Sequence, residues 1–430
     1  MDQFGDRSLS RPAVVRYCRD LLRIDTSNPG STEERAAAYV SDVLQRAGLP
    51  YEILEPARGR CSVISRTAGV DGSLPPLIVH GHLDVVPAGE EGWIRDPFGG
   101  IEADGCLWGR GAIDLKSFCA MMLAVQVQLA NEGHRPRRDV IFSYLADEEM
   151  AGVLGARWIV ENRPDLFRGA LGALGEIGGF SVSTTEARRF YPIMVAGRGV
   201  LWLRIVARGV AGHAAFSDAV NPLIRLSALV SQIATLRTAD PPPAAYLLLL
   251  DKLRTVLGSG HGDVLDGLGS FGSYARHGSY TGFVPTVIRT GTKVNVIPER
   301  VELIVDCRYV PGGRESALRA VRELLDPDMT LDVIAETNSI EWPASGEIFD
   351  ACRFAVQLHD PGAEVIPYAL AAGTDANILA TLGIPGYGFT PMPLPAGFDY
   401  PAMFHAANER VPIESLVRGR EVLSDLVLAC

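Results

Sequence analysis

The sequence of 430 residues has no apolar run that approaches the length of a membrane-spanning helix. Its opening stretch, Met1 to Arg11, is polar and lacks the apolar core of a secretory signal, so we expect a cytoplasmic protein. No basic run or stripe offsets the formal net charge of −11, which disfavours nucleic acid and anionic membranes as partners. The chain also lacks an internal repeat and a low-complexity tract.

Cysteine is scarce. The seven cysteines are odd in number and have no paired spacing, which fits reduced thiols better than a disulfide framework or a cysteine-zinc site. None falls in a motif with histidine, so cysteine-dependent nucleophilic catalysis finds no support. With 47% apolar and 21% charged residues the composition is that of a globular protein, and its length allows two domains that each bury a core.

A histidine and an aspartate follow the first strongly apolar strand pattern. The run Leu77 to Val79 predicts a short buried strand that leads into a glycine-containing turn, so His82 emerges at its carboxyl end. In open α/β sheets ligands bind at that edge. Asp84 is close enough in sequence to accept a hydrogen bond from the His82 ring and fix its tautomer. Taken alone, a structural hydrogen-bonded pair is the more common explanation of this pattern.

Further carboxylates follow the next predicted strands. Asp114 precedes a helical pattern that stops at Gly133, which predicts a carboxylate at a helix N-terminus. Asp147-Glu148-Glu149 and Glu176 each follow a strand-like run. Each acid alone has a simpler interpretation, as a solvated helix start or a surface residue in a turn. Together they predict a dication site in which one carboxylate binds the metal while its neighbour acts as a base.

Three segments, HGHLDVVPAG, GRGAIDLK and DEEMAG, resemble the signature segments of the di-zinc aminoacylase and carboxypeptidase family. This family includes glutamate carboxypeptidase, carboxypeptidase S, aminoacylase-1 and succinyl-diaminopimelate desuccinylase. The resemblance covers nearly the whole chain and is strongest to the carboxypeptidase S-like branch. It implies two Zn²⁺ ions per subunit, with Co²⁺ or Mn²⁺ as possible substitutes, and five ligands: His82, Asp114, Glu149, Glu176 and His405.

The resemblance also implies a role for each of these residues. His82 and Glu176 would complete one zinc site, Glu149 and His405 the other, and Asp114 would bridge both. Glu148 would be the general base and Asp84 the acid that orients a ligand. The chain departs from the usual pattern at Ser117, where the family mostly has glycine, and at Ile177, which interrupts a common Glu-Gly-Gly; neither change removes a ligand.

The order of predicted elements gives the fold class. Strands and helices alternate through residue 196, which predicts βαβ units on a mostly parallel sheet and hence an α/β fold. From Gly199 the order becomes β-α-β-β-α-β-like, which predicts a compact inserted α+β domain. By resemblance, 1–196 and 345–430 form the catalytic domain, and 197–344 form a lid and dimerisation domain of a homodimer.

The segment from Ala239 to Pro285 is too long for a plain connection within that insert. It looks like the insertion of the carboxypeptidase S branch. Two interpretations are open: it shapes an apolar acyl pocket, or it packs as an independent flap.

Five further residues are assigned by resemblance to the substrate. His213 would reach the partner subunit's active site and stabilise the oxyanion. An arginine fork binds carboxylate bidentately, so Arg308 would hold the substrate's free carboxylate unless it is merely paired with Asp306 or another acid. The remaining three would bind substrate: Asn295, Gly373 and Thr374.

These features predict a zinc-dependent hydrolase that cleaves the amide bond of N-acyl amino acids or related small carboxylates. Glu148 would take the proton of the attacking water and pass it to the leaving amine. One alternative is a dipeptidase or carboxypeptidase that releases a C-terminal amino acid. A more remote alternative is a metal-binding regulatory protein that has lost catalysis, although metal binding alone does not require Glu148.

Overall fold

The computed structural model of the chain describes residues 12–184, 188–215, 221–257 and 263–430. The first part alternates strands and helices, as the hydrophobic pattern predicts. Its elements are α1 (Ala13–Leu22), α2 (Glu34–Arg46), β1 (Glu52–Ala57), β2 (Arg60–Thr67), β3 (Leu77–His82), β4 (Ile101–Ala103), β5 (Cys106–Trp108), α3 (Lys116–Glu132), β6 (Val140–Leu145), α4 (Ala156–Asn162), β7 (Gly172–Gly175), β8 (Val182–Ser183) and β9 (Arg189–Gly197). The polar opening stretch, 1–11, lies outside the described residues.

The rest of the chain adds a second, smaller sheet and then returns to the first. The middle part contains β10 (Gly199–Arg208), β11 (Gly212–His213), α5 (Pro222–Thr235), α6 (Ala244–Leu257), α7 (Gly269–His277), β12 (Gly282–Thr290), β13 (Val296–Ile297), β14 (Arg300–Tyr309), α8 (Arg314–Arg322) and β15 (Thr330–Thr337). The last part contains β16 (Ile340–Glu341), α9 (Glu347–His359), β17 (Glu364–Leu370), α10 (Asp375–Leu379), β18 (Gly386–Gly388), β19 (Arg410–Pro412) and α11 (Ile413–Ala429).

The large sheet has the strand order β1-β2-β6-β3-β7-β18-β9-β16, and β8 and β17 also pair with β9. Its centre is parallel, because β3 pairs in parallel with both β6 and β7, and β7 with β18. Every residue of β3 and β6 is buried, as expected for strands covered on both faces. The carboxyl ends of β3, β6 and β7 therefore meet at one edge of the sheet, which confirms the mostly parallel α/β prediction.

Helix α3 packs behind this edge and is buried along almost its whole length. It ends at Gly133, whose φ of 68° is accessible to glycine without strain, so the predicted stop is confirmed. The helix begins at Lys116, two residues later than the predicted start at Asp114. Asp114 lies just before the first turn, and its backbone N–H donates to the side chain of Glu409 at 2.9 Å.

The smaller sheet is antiparallel, in the order β12-β14-β10-β15. Helices α5 and α8 contribute to a separate apolar core beneath it, which includes Leu203, Leu226, Leu303 and Leu318. The elements β10, α5, β12, β14, α8 and β15 follow the predicted β-α-β-β-α-β order. The inserted α+β unit is therefore present as a layer with its own core.

The long segment between α5 and β12 belongs to the other core. Helices α6 and α7 bury Leu249, Leu253 and Phe271 in the core of the large sheet, where Phe271 lies 5.6 Å from the ring of Tyr368 on β17. Within the predicted 197–344 unit, α6 and α7 thus pack on the large sheet, whereas α5 and α8 pack on the smaller one. The apolar residues of α6 recur every four residues and form the face that is buried against β17. Residues 258–262 of this segment lie outside the described ranges.

All seven cysteines are buried free thiols. Within the described parts of the chain, no helix has both the length and the apolar character that crossing a membrane requires.

Candidate metal centre

His82 ends β3 and projects into a cluster of carboxylates. Its Nε2 lies 3.0 Å from Oδ1 of Asp114 and 3.2 Å from Oε2 of Glu176. Its Nδ1 lies 2.9 Å from the backbone carbonyl oxygen of Asp84, whereas the Asp84 carboxylate is 3.5 Å away. The main chain of Asp84 thus makes the shorter contact with the ring, and the side chain predicted to orient the ring lies at the longer distance, from which it still helps to raise the pKa of His82.

The Asp84 carboxylate holds the neighbouring loop instead. It accepts hydrogen bonds from the backbone N–H groups of Glu148, at 3.1 Å, and Glu149, at 3.2 Å. It also accepts one from Nδ2 of Asn28 at 2.9 Å. Asp84 is fully buried, so these three donors stabilise its charge where water cannot. Asp84 thereby links the loop after β3 to the loop after β6.

The three consecutive acids after β6 have different environments. Asp147 has a φ of 67° and turns away from the cavity, where it binds Nη2 of Arg60 at 2.6 Å and Nδ2 of Asn28 at 2.9 Å. Glu148 and Glu149 line the same cavity as the candidate ligands Asp114, Glu176 and His405. The repulsion expected among three adjacent carboxylates is thus reduced by an arginine that the sequence pattern did not identify.

Glu176 follows β7 and is buried. The next residue, Ile177, has a φ of 54°, a left-handed conformation that a β-branched side chain rarely adopts. Its carbonyl oxygen accepts a hydrogen bond from the Tyr368 hydroxyl at 2.5 Å. Ile177 therefore keeps a backbone geometry typical of glycine, at some cost in strain, directly after the candidate ligand Glu176.

His405 comes from a loop rather than a strand end. Its Nε2 lies 3.3 Å from Oε2 of Glu149 and 3.5 Å from Oδ2 of Asp114. Its side chain is 55% exposed, compared with 1% for His82. The two histidines thus approach Asp114 from opposite sides, one from the buried sheet and one from the surface.

These side chains form two overlapping groups of potential metal ligands: His82, Asp114 and Glu176, and Asp114, Glu149 and His405. Within each group the ligand atoms lie within 4.8 Å of one another. The grouping is the one that the family resemblance implies, with Asp114 common to both. Two buried carboxylate oxygens, Oε1 of Glu149 and Oε1 of Glu176, have no hydrogen-bond partner in the described structure. Such orphaned acceptors fit a cation.

The electrostatics of the cluster favour positive charge. Hydrogen bonds to Asp114 and Glu149 raise the pKa of His405 to about 10. Burial acts to lower the pKa of His82, but the charge of Glu176 and the nearby carboxylates raise it well above its ordinary value. Both shifts reflect the excess of negative charge around the two rings. A divalent cation would supply positive charge to the same acids.

Glu148 lies in the same cavity but belongs to neither ligand group. Burial, reinforced by the charge of Glu176, raises the pKa of Glu148 well above the usual range of a carboxyl group. A carboxylate with a raised pKa is a better proton acceptor, which is the property required of a general base.

A cavity of about 210 Å³ lies over these ligands, between the large sheet and the smaller one. Three predicted substrate residues line it: Arg308, Gly373 and Thr374. Sequence reasoning did not select several other lining residues, which are Ala151, Val200, Trp202, Thr337, Asp375 and Ile378. Asp375 is adjacent to Thr374 and is buried with Oδ1 unpaired, so its loop was identified but its side chain was missed. Trp202 sits in an ordinary strand pattern that carries no signal of a site.

Arg308 is paired within its own strand. Its Nε and Nη2 donate to the two carboxylate oxygens of Asp306 at 2.8 and 2.9 Å. The alternative raised by the sequence is therefore realised, and one edge of the guanidinium is occupied. The other edge, formed by Nη1 and the second hydrogen of Nη2, is the part of Arg308 that can still bind a carboxylate bidentately.

His213 and Asn295 lie together but away from this cavity. Strands β11 and β13 pair His213 with Val296, and the backbone N–H of Ala214 donates to the carbonyl of Asn295 at 3.0 Å. His213 is exposed. Neither residue lines the described cavity of its own chain.

Comparison with known proteins gives a consistent result. Residues 78–429 match the sequence profile of Peptidase family M20/M25/M40. Aminoacylase-1 of Sus scrofa is 25% identical over 438 residues, covering 98% of this chain and 96% of its own length. Succinyl-diaminopimelate desuccinylase of Gluconacetobacter diazotrophicus is 31% identical over 235 residues, covering 54% of this chain and 58% of its own length.

Solved structures share the fold over the whole chain. An M20 family metallo-carboxypeptidase from Sulfolobus solfataricus superposes with a TM-score of 0.74 at 16% identity, covering 100% of this chain and 99% of its own. Human carnosine dipeptidase 1 gives a TM-score of 0.70 at 18% identity, with coverage of 96% and 95%.

Proposed function

We propose, given that the chain belongs to Peptidase family M20/M25/M40, that this metallohydrolase cleaves the amide bond of N-acyl amino acids. The observation that carries the proposal is the pair of ligand groups that share Asp114, with Glu148 beside them in the same cavity. The full-length similarity to aminoacylase-1 supports an acyl amino acid as the substrate class.

The ligand groups would hold two divalent cations, which we propose to be Zn²⁺. His82 and Glu176 would bind one, Glu149 and His405 the other, and Asp114 both. Imidazole and carboxylate are ordinary zinc ligands in hydrolases. When bound, such ions polarise a carbonyl group and lower the pKa of water.

Glu148 would handle the proton. Its position in the cavity, outside both ligand groups, leaves its carboxylate available to take a proton from the attacking water. It would then pass that proton to the leaving amine nitrogen. The burial that raises the pKa of Glu148 favours both the uptake and the temporary holding of the proton.

The substrate's free carboxylate would bind the open edge of Arg308. Asp306 occupies the opposite edge and orients the guanidinium. Thr374 lies in the same cavity, and its hydroxyl oxygen accepts the N–H of Ala376 at 3.1 Å as the cap of α10. The main-chain N–H and carbonyl of Thr374 both bind Asn377 in this cap, so Gly373 would offer main-chain groups to the substrate and Thr374 its hydroxyl.

We also propose a cytoplasmic homodimer. The ribbon that carries His213 and Asn295 lies outside the cavity of its own chain, which supports a role for these residues in a partner's cavity. The proposed role of His213 is to stabilise the oxyanion there.

The test is amine release by zinc-reconstituted protein from N-acyl amino acids of increasing acyl length and from dipeptides of matched composition. Faster turnover of the acyl amino acids is the expected result. A preference for dipeptides would reassign the chain as a dipeptidase. Absence of turnover on both panels, with metal shown to be bound, would favour a non-catalytic metal-binding protein.

A further inference from the structure

A buried ion pair connects the two ends of the metal centre. Oε2 of Glu409 accepts a hydrogen bond from Nη1 of Arg110 at 2.8 Å, and the two side chains are 1% and 2% exposed. Arg110 lies four residues before Asp114, and Glu409 lies four residues after His405. Segments from opposite ends of the chain thus meet at this pair.

Glu409 acts on the backbone of Asp114. Its Oε1 accepts the N–H groups of Ile113 and Asp114 at 2.7 and 2.9 Å, and its Oε2 accepts that of Gly111 at 2.9 Å. With Arg110, these donors give one carboxylate four hydrogen bonds. The main chain of Asp114 is therefore set by a residue that is itself no metal ligand.

Arg110 acts on the backbone of His405. Its Nη1 donates to the carbonyl of Ala406 at 3.0 Å, and its Nη2 points at that of His405 at 3.4 Å. His405 has a φ of 58°, a conformation that costs free energy unless its surroundings impose it. The ring of Trp93 covers the guanidinium at 5.2 Å. Arg110 is thus the contact that stabilises the strained turn of a half-exposed ligand.

The other ligand group has firmer support. His82 is the last residue of β3, and Glu176 directly follows β7, both in the parallel centre of the large sheet. Their positions follow from the sheet, whereas His405 lies on a loop. A contact that holds the loop should therefore matter more for the group that contains His405.

We propose that Arg110 and Glu409 are positioning residues that form a clasp, and that Arg110, which holds the His405 turn, selectively sets the metal affinity of the Asp114, Glu149 and His405 group. This inference rests on the two-metal centre of the proposed function. Residues that hold metal ligands in place typically contribute about 10–100-fold to metal affinity. Arg110 should contribute an effect of that size at the group that contains His405 and little at the other.

The experiment measures Zn²⁺ affinity of the full chain by competition with a chromogenic chelator. His82→Ala leaves the Asp114, Glu149 and His405 group, and His405→Ala leaves the His82, Asp114 and Glu176 group. Arg110→Lys is then introduced into each background. Lysine keeps the charge beside Glu409 but cannot bind the two carbonyls with a planar fork.

We expect Arg110→Lys to weaken Zn²⁺ binding about tenfold or more in the His82→Ala background, and by less than about threefold in the His405→Ala background. The milder Trp93→Leu, which removes only the cover of the guanidinium, should weaken the same group. Glu409→Gln should weaken both groups, because Glu409 holds the backbone of Asp114, which belongs to both. An equal loss for Arg110→Lys in both backgrounds, or no loss in either, would overturn the proposal.

Arg138→Lys is the matched control. Arg138 is also 2% exposed and binds the carbonyls of Cys430 and Pro75 together with Glu347, remote from the ligand groups. It should leave both affinities unchanged. If the single-histidine variants do not each retain one Zn²⁺, the two-metal function itself fails. If they do and Arg110→Lys has no effect, only the clasp fails.

Discussion

The carbonyl oxygen of Asp84 lies 2.9 Å from Nδ1 of His82, closer than the Asp84 carboxylate at 3.5 Å. The main chain and the side chain of Asp84 therefore have different roles. The main chain orients the histidine ring, and the side chain holds the N–H groups of Glu148 and Glu149. Substitution of the side chain separates these two effects.

Asp84→Asn should lower the rate of amide hydrolysis by about 10–100-fold while Zn²⁺ stays bound at the His82 group. Asparagine has only one acceptor oxygen, so its NH₂ group would face the backbone N–H of Glu148 or Glu149 and displace their loop. The prediction is checked by measuring the turnover rate and the metal content of the same preparation. Asp139→Asn is the control, since Asp139 also accepts a backbone N–H, from Gly69 at 2.7 Å, but lies outside the metal cluster. Loss of the metal at the His82 group would contradict the assignment of the Asp84 side chain to the Glu148–Glu149 loop.

Glu148→Gln should reduce kcat by about 10²–10⁴-fold without reducing metal content, because the amide cannot accept the proton of the attacking water. The neighbouring Glu149→Gln should instead lower the metal content. Stoichiometry by elemental analysis and initial rates distinguish the two. Substantial activity in Glu148→Gln would remove Glu148 from the role of base.

Arg308→Lys should raise KM for substrates with a free carboxylate by about tenfold or more, since a hydrogen bond to a charged group contributes about 1.5–3 kcal/mol. The effect on kcat should be smaller. Arg204→Lys is the matched control, because Arg204 binds Asp332 through the same edge, Nε and Nη2, in the same sheet. If KM is unchanged in Arg308→Lys, the role of Arg308 is only to pair with Asp306, and it does not bind the substrate's carboxylate.

Gly278→Ala should lower the free energy of unfolding by about 1–3 kcal/mol, the usual cost of forcing an extra methyl group into a packed contact. A Cβ at this position would lie 2.3 Å from the carbonyl oxygen of Ala369 on β17, so α7 could no longer dock. Gly267→Ala, in the same segment, meets no atom within 4 Å and should be neutral. Equal denaturation midpoints for the two variants would argue against docking of α7 on β17.

Removal of metal should lower the melting temperature. Asp114, Glu149 and Glu176 then repel one another with no cation between them. Saturation at a thousandfold excess over Kd stabilises a folded protein by about 4 kcal/mol per site, so the shift on chelation should be large. Thermal unfolding with and without chelator measures it, and His405→Ala should show a smaller shift. An unchanged melting temperature after proven metal loss would contradict a folded-state metal site.

Much of the geometry of the candidate site follows from local sequence patterns. Apolar runs followed by His82, by Asp147-Glu148-Glu149 and by Glu176 predicted three strand ends, and the parallel pairing of β3 with β6 and β7 brings those ends together. The last candidate ligand, His405, had no such local signal and was predicted through family resemblance alone. Periodicity reports which face of a segment is buried, and a loop has no periodicity to report.

The sequence by itself determined the α/β alternation, the inserted β-α-β-β-α-β unit and the acids at the sheet edge, because these depend on the spacing of apolar and charged residues within short segments. The tertiary structure decided the partners: which oxygen of Asp84 faces His82, the pairing of Arg308 with Asp306, the docking of α6 and α7 on β17, and the contact of Arg110 with Glu409. Each of these depends on distances between groups on separate elements or on the course of a turn, which packing determines and local spacing does not encode.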